Sequence, residues 1–146
     1  IFHTRFNRNA RERRTLMNNM TTPLAMVREF ATRMDQPLDQ KWGENEDLEE
    51  ARFAFIREEF QEIFDESCLG NDAEAMLKEL ADGIIVINGY AATFGWDLDE
   101  ATRRVHESNM SKLNDDGKPL KNGQGKVLKG PNYKKCNLKD LVEINK

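Results

Sequence analysis

The segment RFAFIREEFQEIF (52–64) has the apolar spacing of a helix but carries a carboxylate at a position that such a helix normally buries. With 100° per residue and Phe55 at zero, Ile63 lies at about 80° and Glu59 at about 40°, inside the same apolar arc. The pattern predicts a helix from about residue 47 to about residue 67 that directs an acidic side chain towards its packing partner.

A second segment, MLKELADGIIVI (76–87), places two acidic residues three positions apart beside an apolar run. Antiparallel packing of the two helices would bring together four carboxylates, those of Glu59, Glu62, Glu79 and Asp82. Unpaired buried carboxylates cost several kcal/mol, so such a cluster needs basic side chains or a hard divalent cation as its partner. Residues 21–110 contain eight basic and 21 acidic side chains, and this imbalance favours Mg²⁺.

Apolar periodicity predicts four helices, near residues 22–36, 47–67, 72–94 and 97–113. Asn71 and Asp97 are the expected N-caps of the last two helices, each with a Glu three residues later. The run Ile84–Ile87 is apolar over a full turn, which predicts that this helix is central and covered on most sides. The expected fold is therefore an all-α, four-helix bundle.

The composition indicates one domain that assembles with copies of itself. Only 38% of the 146 residues are apolar and 33% are charged, which favours a subunit that completes its core as a homodimer or homotetramer. No apolar run approaches the roughly 20 residues that span a bilayer, and the start of the sequence lacks a signal-peptide core. Cys68 and Cys136 have no metal-binding spacing. A cytoplasmic protein without a membrane partner is expected.

Charge is distributed unevenly along the chain. Residues 1–20 contain five Arg and one Glu, and residues 111–146 contain nine Lys and four acidic residues, so an acidic middle has two basic ends. This profile disfavours a nucleic-acid binder of the basic-patch kind. We expect a basic N-terminal arm (1–20), a helical domain that carries the acidic residues (21–113) and a Gly- and Lys-rich C-terminal tail (114–146).

Acidic pairs with a spacing of three are common in this sequence, for example Glu46 with Glu49 and Glu62 with Asp65. Most such pairs lie on solvated helix faces. The pairs in the two segments above differ because both lie beside the apolar faces of successive helices. From the residues alone, a metal site and a set of solvated acidic faces both remain open.

The motif EEFQE (58–62), sixteen residues, then ELAD (79–82) resembles the ExxE…ExxD signature of the MazG-like all-α nucleotide pyrophosphohydrolases. The resemblance covers about residues 24–113. The segment GYAATFGWDLDEATRRVHESNMSKL (89–113) and the tail DDGKPL…GKVLKGPNY (115–133) are similar to phage and bacterial members related to phosphoribosyl-ATP pyrophosphohydrolase.

The resemblance implies an enzyme that hydrolyses a nucleoside triphosphate to the monophosphate and pyrophosphate. It implies Mg²⁺, with Mn²⁺ as the alternative ion, and it identifies as metal ligands Glu59, Glu62, Glu79 and Asp82. Glu58 matches an additional acid that would orient or deprotonate the attacking water, beside the ligand Glu59. Asn109 and Lys112 match positions that contact phosphate or sugar.

Further substrate-binding residues are expected from chemistry alone. Lys126 and Lys129 can bring positive charge to the phosphates from the C-terminal tail. Trp96 is an aromatic candidate for stacking on the base, as are Phe94, Tyr90 and Trp42.

Three other functions compete with this interpretation. A ferritin-like di-iron bundle is excluded, because it needs Glu-x-x-His on two helices and the chain has only His3 and His106. A non-enzymatic helical interaction module remains open, as does a phosphoribosyl-ATP pyrophosphohydrolase of histidine biosynthesis. We favour a deoxynucleotide or a non-standard nucleotide as the substrate.

Overall fold

The structure is a computed structural model that describes residues 22–143, so the predicted arm 1–20 lies outside the described residues. The described part contains five helices and no strand: α1 Pro23–Arg33, α2 Glu46–Leu69, α3 Ala73–Thr93, α4 Leu98–Met110 and α5 Lys139–Val142. The predicted all-α fold is confirmed. The chain forms two compact units, whose boundary in the sequence lies between Trp96 and Asp97.

In the first unit, α1 and α2 each pack against α3. Thr22 caps α1 by accepting a hydrogen bond from the amide of Ala25, and Pro23 occupies the first turn, where its missing N–H costs nothing. The buried face of α1 consists of Leu24, Val27 and Ala31. This spacing of three and four residues matches the predicted helical periodicity.

The caps of α2 and α3 fix where the two long helices begin. The side chain of Asn45 accepts a hydrogen bond from the amide of Leu48 at the start of α2. At α3 the predicted cap Asn71 is wrong: the cap is Asp72, whose carboxylate accepts from the amide of Glu74. Asp72 has the extended backbone that a cap requires and directly precedes the first helical residue.

The buried core of the first unit is small and lies on one side of α3. No residue of α2 is buried, and the run Ile84–Ile87 is not covered as predicted, since the side chain of Ile84 is 50% exposed. The helices α1 and α2 cover only one side of α3. The other side presents a row of exposed apolar residues, the α3 stripe, at spacings of three, four and three: Leu77, Leu80, Ile84 and Ile87.

In the second unit, ion pairs connect α4 with the segment around α5. Asp97 caps α4 as predicted, accepting a hydrogen bond from the amide of Glu100. Arg104 pairs with Asp140 through both guanidinium branches, at 2.6 and 2.8 Å, and also with Glu100. Hydrogen bonds from Arg103 and Arg104 lower the pKa of Glu100 to about 2.

The chain between α4 and α5 contains two similar tight turns. Antiparallel bridges join Leu113 to Pro119 and Lys121 to Val127. In each turn the backbone N–H of an Asn donates a hydrogen bond to the backbone carbonyl of the Lys four residues later. The donor is Asn114 in the first turn and Asn122 in the second. The shared N-x-x-G-K pattern of the two turns is a short repeat that the sequence analysis did not identify.

None of the helices in the described part of the chain combines the length and the apolar composition that a membrane span requires.

Two glycines of α3 provide a matched test of how closely α2 and α3 pack. We expect Gly89→Ala to raise the free energy of unfolding by about 0.5–1 kcal/mol, because Ala costs less backbone entropy than Gly in a helix. A Cβ at Gly89 meets no atom within 4 Å, whereas one at Gly83 would lie 3.0 Å from Cδ1 of Ile63. Gly83→Ala should therefore raise the free energy of unfolding less than Gly89→Ala does, or should lower it. Chemical denaturation of both variants measures the difference, and equal gains would show that the contact with Ile63 relaxes without cost.

Candidate metal centre

Three acidic side chains converge where α2 packs against α3. Glu59 comes from the middle of α2, and Glu79 and Asp82 come from the first half of α3, one helical turn apart. One carboxylate oxygen from each residue lies within 4.8 Å of the corresponding oxygens of the other two. All three residues are partly buried, and the side chain of Glu79 is only 15% exposed. The structure thus brings together three of the four carboxylates that the sequence predicted to meet.

Two oxygen atoms of this cluster are buried without a hydrogen-bond partner among the described residues: Oε2 of Glu59 and Oε2 of Glu79. Burial raises the pKa of Glu59, and the negative charges of Asp82 and Glu79 raise that pKa further. A buried carboxylate oxygen that accepts no hydrogen bond is costly, so these two atoms indicate a missing positive partner. Carboxylate oxygens are hard ligands, and the set fits a divalent cation such as Mg²⁺.

Glu62, the fourth predicted ligand, lies one turn further along α2 and is more exposed than Glu59. The neighbouring carboxyl of Glu79 raises the pKa of Glu62, and burial and the charge of Glu59 add to that shift. Glu58 is exposed, and its charge also raises the pKa of Glu59. Both residues therefore lie close enough for electrostatic interaction with the cluster. The role of Glu62 as a metal ligand and that of Glu58 as a base stay predictions.

Lys78 supplies a positive charge that the sequence analysis did not assign to this cluster. Its Nζ lies 2.8 Å from Oδ2 of Asp82 and 3.3 Å from Oε1 of Glu79. These contacts raise the pKa of Lys78 above its ordinary value. The spacing of four residues between Lys78 and Asp82 was a usable signal for the pair. The lysine satisfies one oxygen on each of its two partners and leaves Oε2 of Glu79 without a partner.

Trp96, the predicted stacking residue, belongs to an aromatic cluster. Its ring centroid lies 5.7 Å from that of Phe94, 6.1 Å from that of Tyr90 and 6.0 Å from that of Trp42. Nε1 of Trp42 donates a hydrogen bond to the Tyr90 hydroxyl at 3.1 Å. Trp96 is half-buried and Phe94 is fully buried, so the cluster also has a structural role. Contact between Trp96 and a base stays a prediction.

The remaining predicted substrate-binding residues lie in the second unit. Nζ of Lys112 donates to Oδ1 of Asn109 at 2.8 Å, so these two predicted residues contact each other. Nζ of Lys129 lies 4.7 Å from the centre of the Tyr133 ring, a cation–π contact. Lys126 is exposed in the second tight turn, where its amide donates to Asn122. Their contacts with phosphate stay predictions.

Comparison with known proteins identifies the family. The family model described as phosphoribosyl-ATP pyrophosphohydrolase matches residues 27–109, which is more than half of the chain. The matched segment includes all four predicted metal ligands and Asn109. A search of curated proteins found no match. The match confirms the resemblance to the MazG-like superfamily that the sequence motif indicated. The chain therefore belongs to the phosphoribosyl-ATP pyrophosphohydrolase family of all-α nucleotide pyrophosphohydrolases.

Proposed function

We propose that this chain hydrolyses a nucleoside triphosphate between the α and β phosphates, with Mg²⁺ as its cofactor and Mn²⁺ as the alternative ion. The observation that carries the proposal is the convergence of Glu59, Glu79 and Asp82 within 4.8 Å, with two buried oxygen atoms left without a hydrogen-bond partner. These residues belong to the segment that matches a pyrophosphohydrolase family.

Each acidic residue has a role in this proposal. Glu59, Glu79 and Asp82 hold the cation, and Glu62 completes the set. When bound, the ion supplies positive charge that neutralises the polyphosphate and stabilises the leaving pyrophosphate. Glu58, exposed beside Glu59, orients the attacking water and accepts its proton as the water oxygen bonds to phosphorus and the α–β bridge breaks. No Ser, Cys or His nucleophile is needed.

The proposed substrate is a deoxynucleotide or a non-standard nucleotide. A second candidate is the phosphoribosylated ATP of histidine biosynthesis, which is favoured by the name of the matching family. Both substrates present a polyphosphate to the same carboxylates, so the chemistry at the metal is shared. The nucleoside part of the substrate distinguishes the two.

We also propose that the active form is a homodimer or a homotetramer assembled through the α3 stripe. Leu77 is 68% exposed and Leu80 is 45% exposed, although residues of this type are usually buried. The spacing of three, four and three residues along the stripe is that of helix pairs that pack side by side. The stripe of a second copy has the same spacing and the same apolar chemistry, so the stripe is complementary to itself.

A substrate panel tests the proposed reaction. We expect pyrophosphate, not orthophosphate, to be released from at least one ribo- or deoxynucleoside triphosphate, and only when Mg²⁺ or Mn²⁺ is present. The ion alone should raise the unfolding temperature, because a ligand at 100 times its Kd stabilises a protein by about 2.7 kcal/mol. Orthophosphate release would contradict α–β cleavage. Hydrolysis of phosphoribosyl-ATP alone would favour the second candidate, and a protein with neither activity nor ion-dependent stabilisation would be an interaction module.

A further inference from the structure

A mostly apolar groove lies in the first unit, between α1, the loop that follows it, and the facing sides of α2 and α3. Its cavity volume is about 190 Å³. Its walls include Phe30, Leu38, Phe55, Val86 and Tyr90, and only two of its polar side chains, those of Gln36 and Arg52, carry strong hydrogen-bond donors on nitrogen. Apolar grooves with few polar groups are typical of small-ligand sites.

Arg52 differs from the other basic side chains of residues 22–96. Five of them form an ion pair with a carboxylate within 4.0 Å: Arg28, Arg33, Lys41, Arg57 and Lys78. Arg52 forms none among the described residues. Its only hydrogen bond there is a long one, from Nη1 to Oε1 of Gln36 at 3.5 Å. Because a guanidinium group has five N–H donors, most of those of Arg52 are unused.

The groove and the carboxylate cluster lie along the same faces of α2 and α3. Arg52, Phe55 and Glu59 are spaced by three and four residues, so they lie on one face of α2. On α3 the same spacing places Asp82 and the groove residues Val86 and Gly89 on one face. With a rise of 1.5 Å per residue, Arg52 lies about 10 Å along α2 from Glu59. A nucleotide whose phosphates lie at the carboxylates can therefore reach Arg52 with its base.

We propose that this groove holds the base of the triphosphate and that Arg52 selects a 6-oxopurine, guanine or hypoxanthine, over adenine. The proposal rests on the proposed pyrophosphohydrolase activity. A 6-oxopurine presents two adjacent acceptors, O6 and N7, to which the two donors of a guanidinium fork bind together. Adenine presents an amino group in place of O6, and Arg52 has no acceptor to offer it. The ring of Phe55, whose centroid lies 5.9 Å from the Arg52 guanidinium carbon, provides an apolar wall for the base.

The unpaired guanidinium also argues against an apolar side chain of a second copy as the occupant of this groove. Such a side chain would remove water from Arg52 without replacing its hydrogen bonds, which is unfavourable. A base with two acceptors replaces those hydrogen bonds and fits the apolar walls.

The test compares Arg52→Met with Arg57→Met, which removes an equivalent charge from the same helix at an exposed residue paired with Glu50. With Mg²⁺ present, kcat/KM is measured for GTP, ITP and ATP, each as the ribonucleotide and as the deoxynucleotide. We expect the wild-type protein to prefer GTP and ITP over ATP. Arg52→Met should lower kcat/KM for GTP and ITP about 10- to 100-fold, since a bidentate pair contributes about 1–3 kcal/mol of discrimination. For ATP, kcat/KM of Arg52→Met should stay within about twofold of wild type. For Arg57→Met, kcat/KM should stay within about twofold of wild type for all the nucleotides.

A second measurement separates this proposal from the proposed reaction. We expect GMP to bind the metal-free protein in titration calorimetry and to bind Arg52→Met more weakly. Arg52→Lys keeps the charge without the fork and should bind GMP with intermediate affinity. Arg52-dependent GMP binding in a protein that hydrolyses no nucleotide would support the groove and contradict the reaction. If Arg52→Met lowered kcat/KM equally for GTP and ATP, or changed the oligomeric state, the assignment of Arg52 to the base would be overturned.

Discussion

Glu59→Gln is expected to lower pyrophosphate release more than ~100-fold, a larger loss than the substitution of a residue that only supports a ligand. The substitution removes the ligand that α2 contributes to the group of three converging carboxylates. Asp82→Asn should have the same effect from α3. The helical fold should remain, because Gln and Asn preserve the size and shape of the side chains. Steady-state assays at saturating Mg²⁺, with circular dichroism of each variant, measure both outcomes.

The control is Glu46→Gln, which removes the same charge from the first turn of α2 and should leave activity unchanged.

Without metal, Glu59→Gln should be at least as stable as wild type at neutral pH. The raised pKa of Glu59 means that its ionised form is disfavoured in the folded state, so wild type loses stability as pH rises through that pKa. The advantage of the variant should disappear as pH falls below the ordinary Glu value of about 4.3. Full activity in either ligand variant would remove the assignment of the metal centre.

A charged residue in the α3 stripe is expected to separate the proposed homodimer or homotetramer into single chains. Leu80→Glu and Ile84→Glu each place a carboxylate where a second copy would bury an apolar side chain, a burial that contributes about 1.5–3 kcal/mol per residue. Two copies in a symmetric pair would each lose this contribution and would also bring like charges together. Sedimentation velocity measures the mass, and thermal unfolding measures the accompanying loss of stability.

Thr102→Glu, at an exposed position of α4 outside the stripe, is the matched control and should leave the mass unchanged. A wild-type protein that sediments as a single chain at micromolar concentration would contradict the proposed homodimer or homotetramer. A stripe variant that keeps the wild-type mass would instead place the contact elsewhere. The exposed phenylalanines of α2, Phe60 and Phe64, are the next residues to test in that case.

Local rules predicted the four longer helices and one of the two named caps, but not the short α5, which lies in the predicted C-terminal tail. At the start of α4, Asp97 is the only Ser, Thr, Asp or Asn in the segment FGWD (94–97) that precedes the helix, and it is the cap. Asn71 and Asp72 are both good capping residues, so composition could not decide between them, and the backbone conformation selects Asp72. The convergence of the carboxylates was predictable because the 100° periodicity places each of them beside an apolar face.

Other features depend on contacts that sequence spacing does not determine. The run Ile84–Ile87 has the pattern of a buried segment, but the pattern does not say which chain covers it. The unpaired state of Arg52 becomes visible only when the partners of the other basic residues are known. One of those pairs joins Arg28 to Asp39 across eleven residues, through a loop whose path no periodicity predicts.

The ammonium group of Lys78 has a consequence for how the metal centre is loaded. Because Lys78 already contacts Asp82 and Glu79, an ion that binds as proposed would enter a cluster whose negative charge is already partly opposed. In the absence of an ion, the positive charge of Lys78 moderates the repulsion between Glu59 on α2 and the two carboxylates of α3. The affinity of the proposed ion would therefore depend on Lys78 as well as on the ligands themselves.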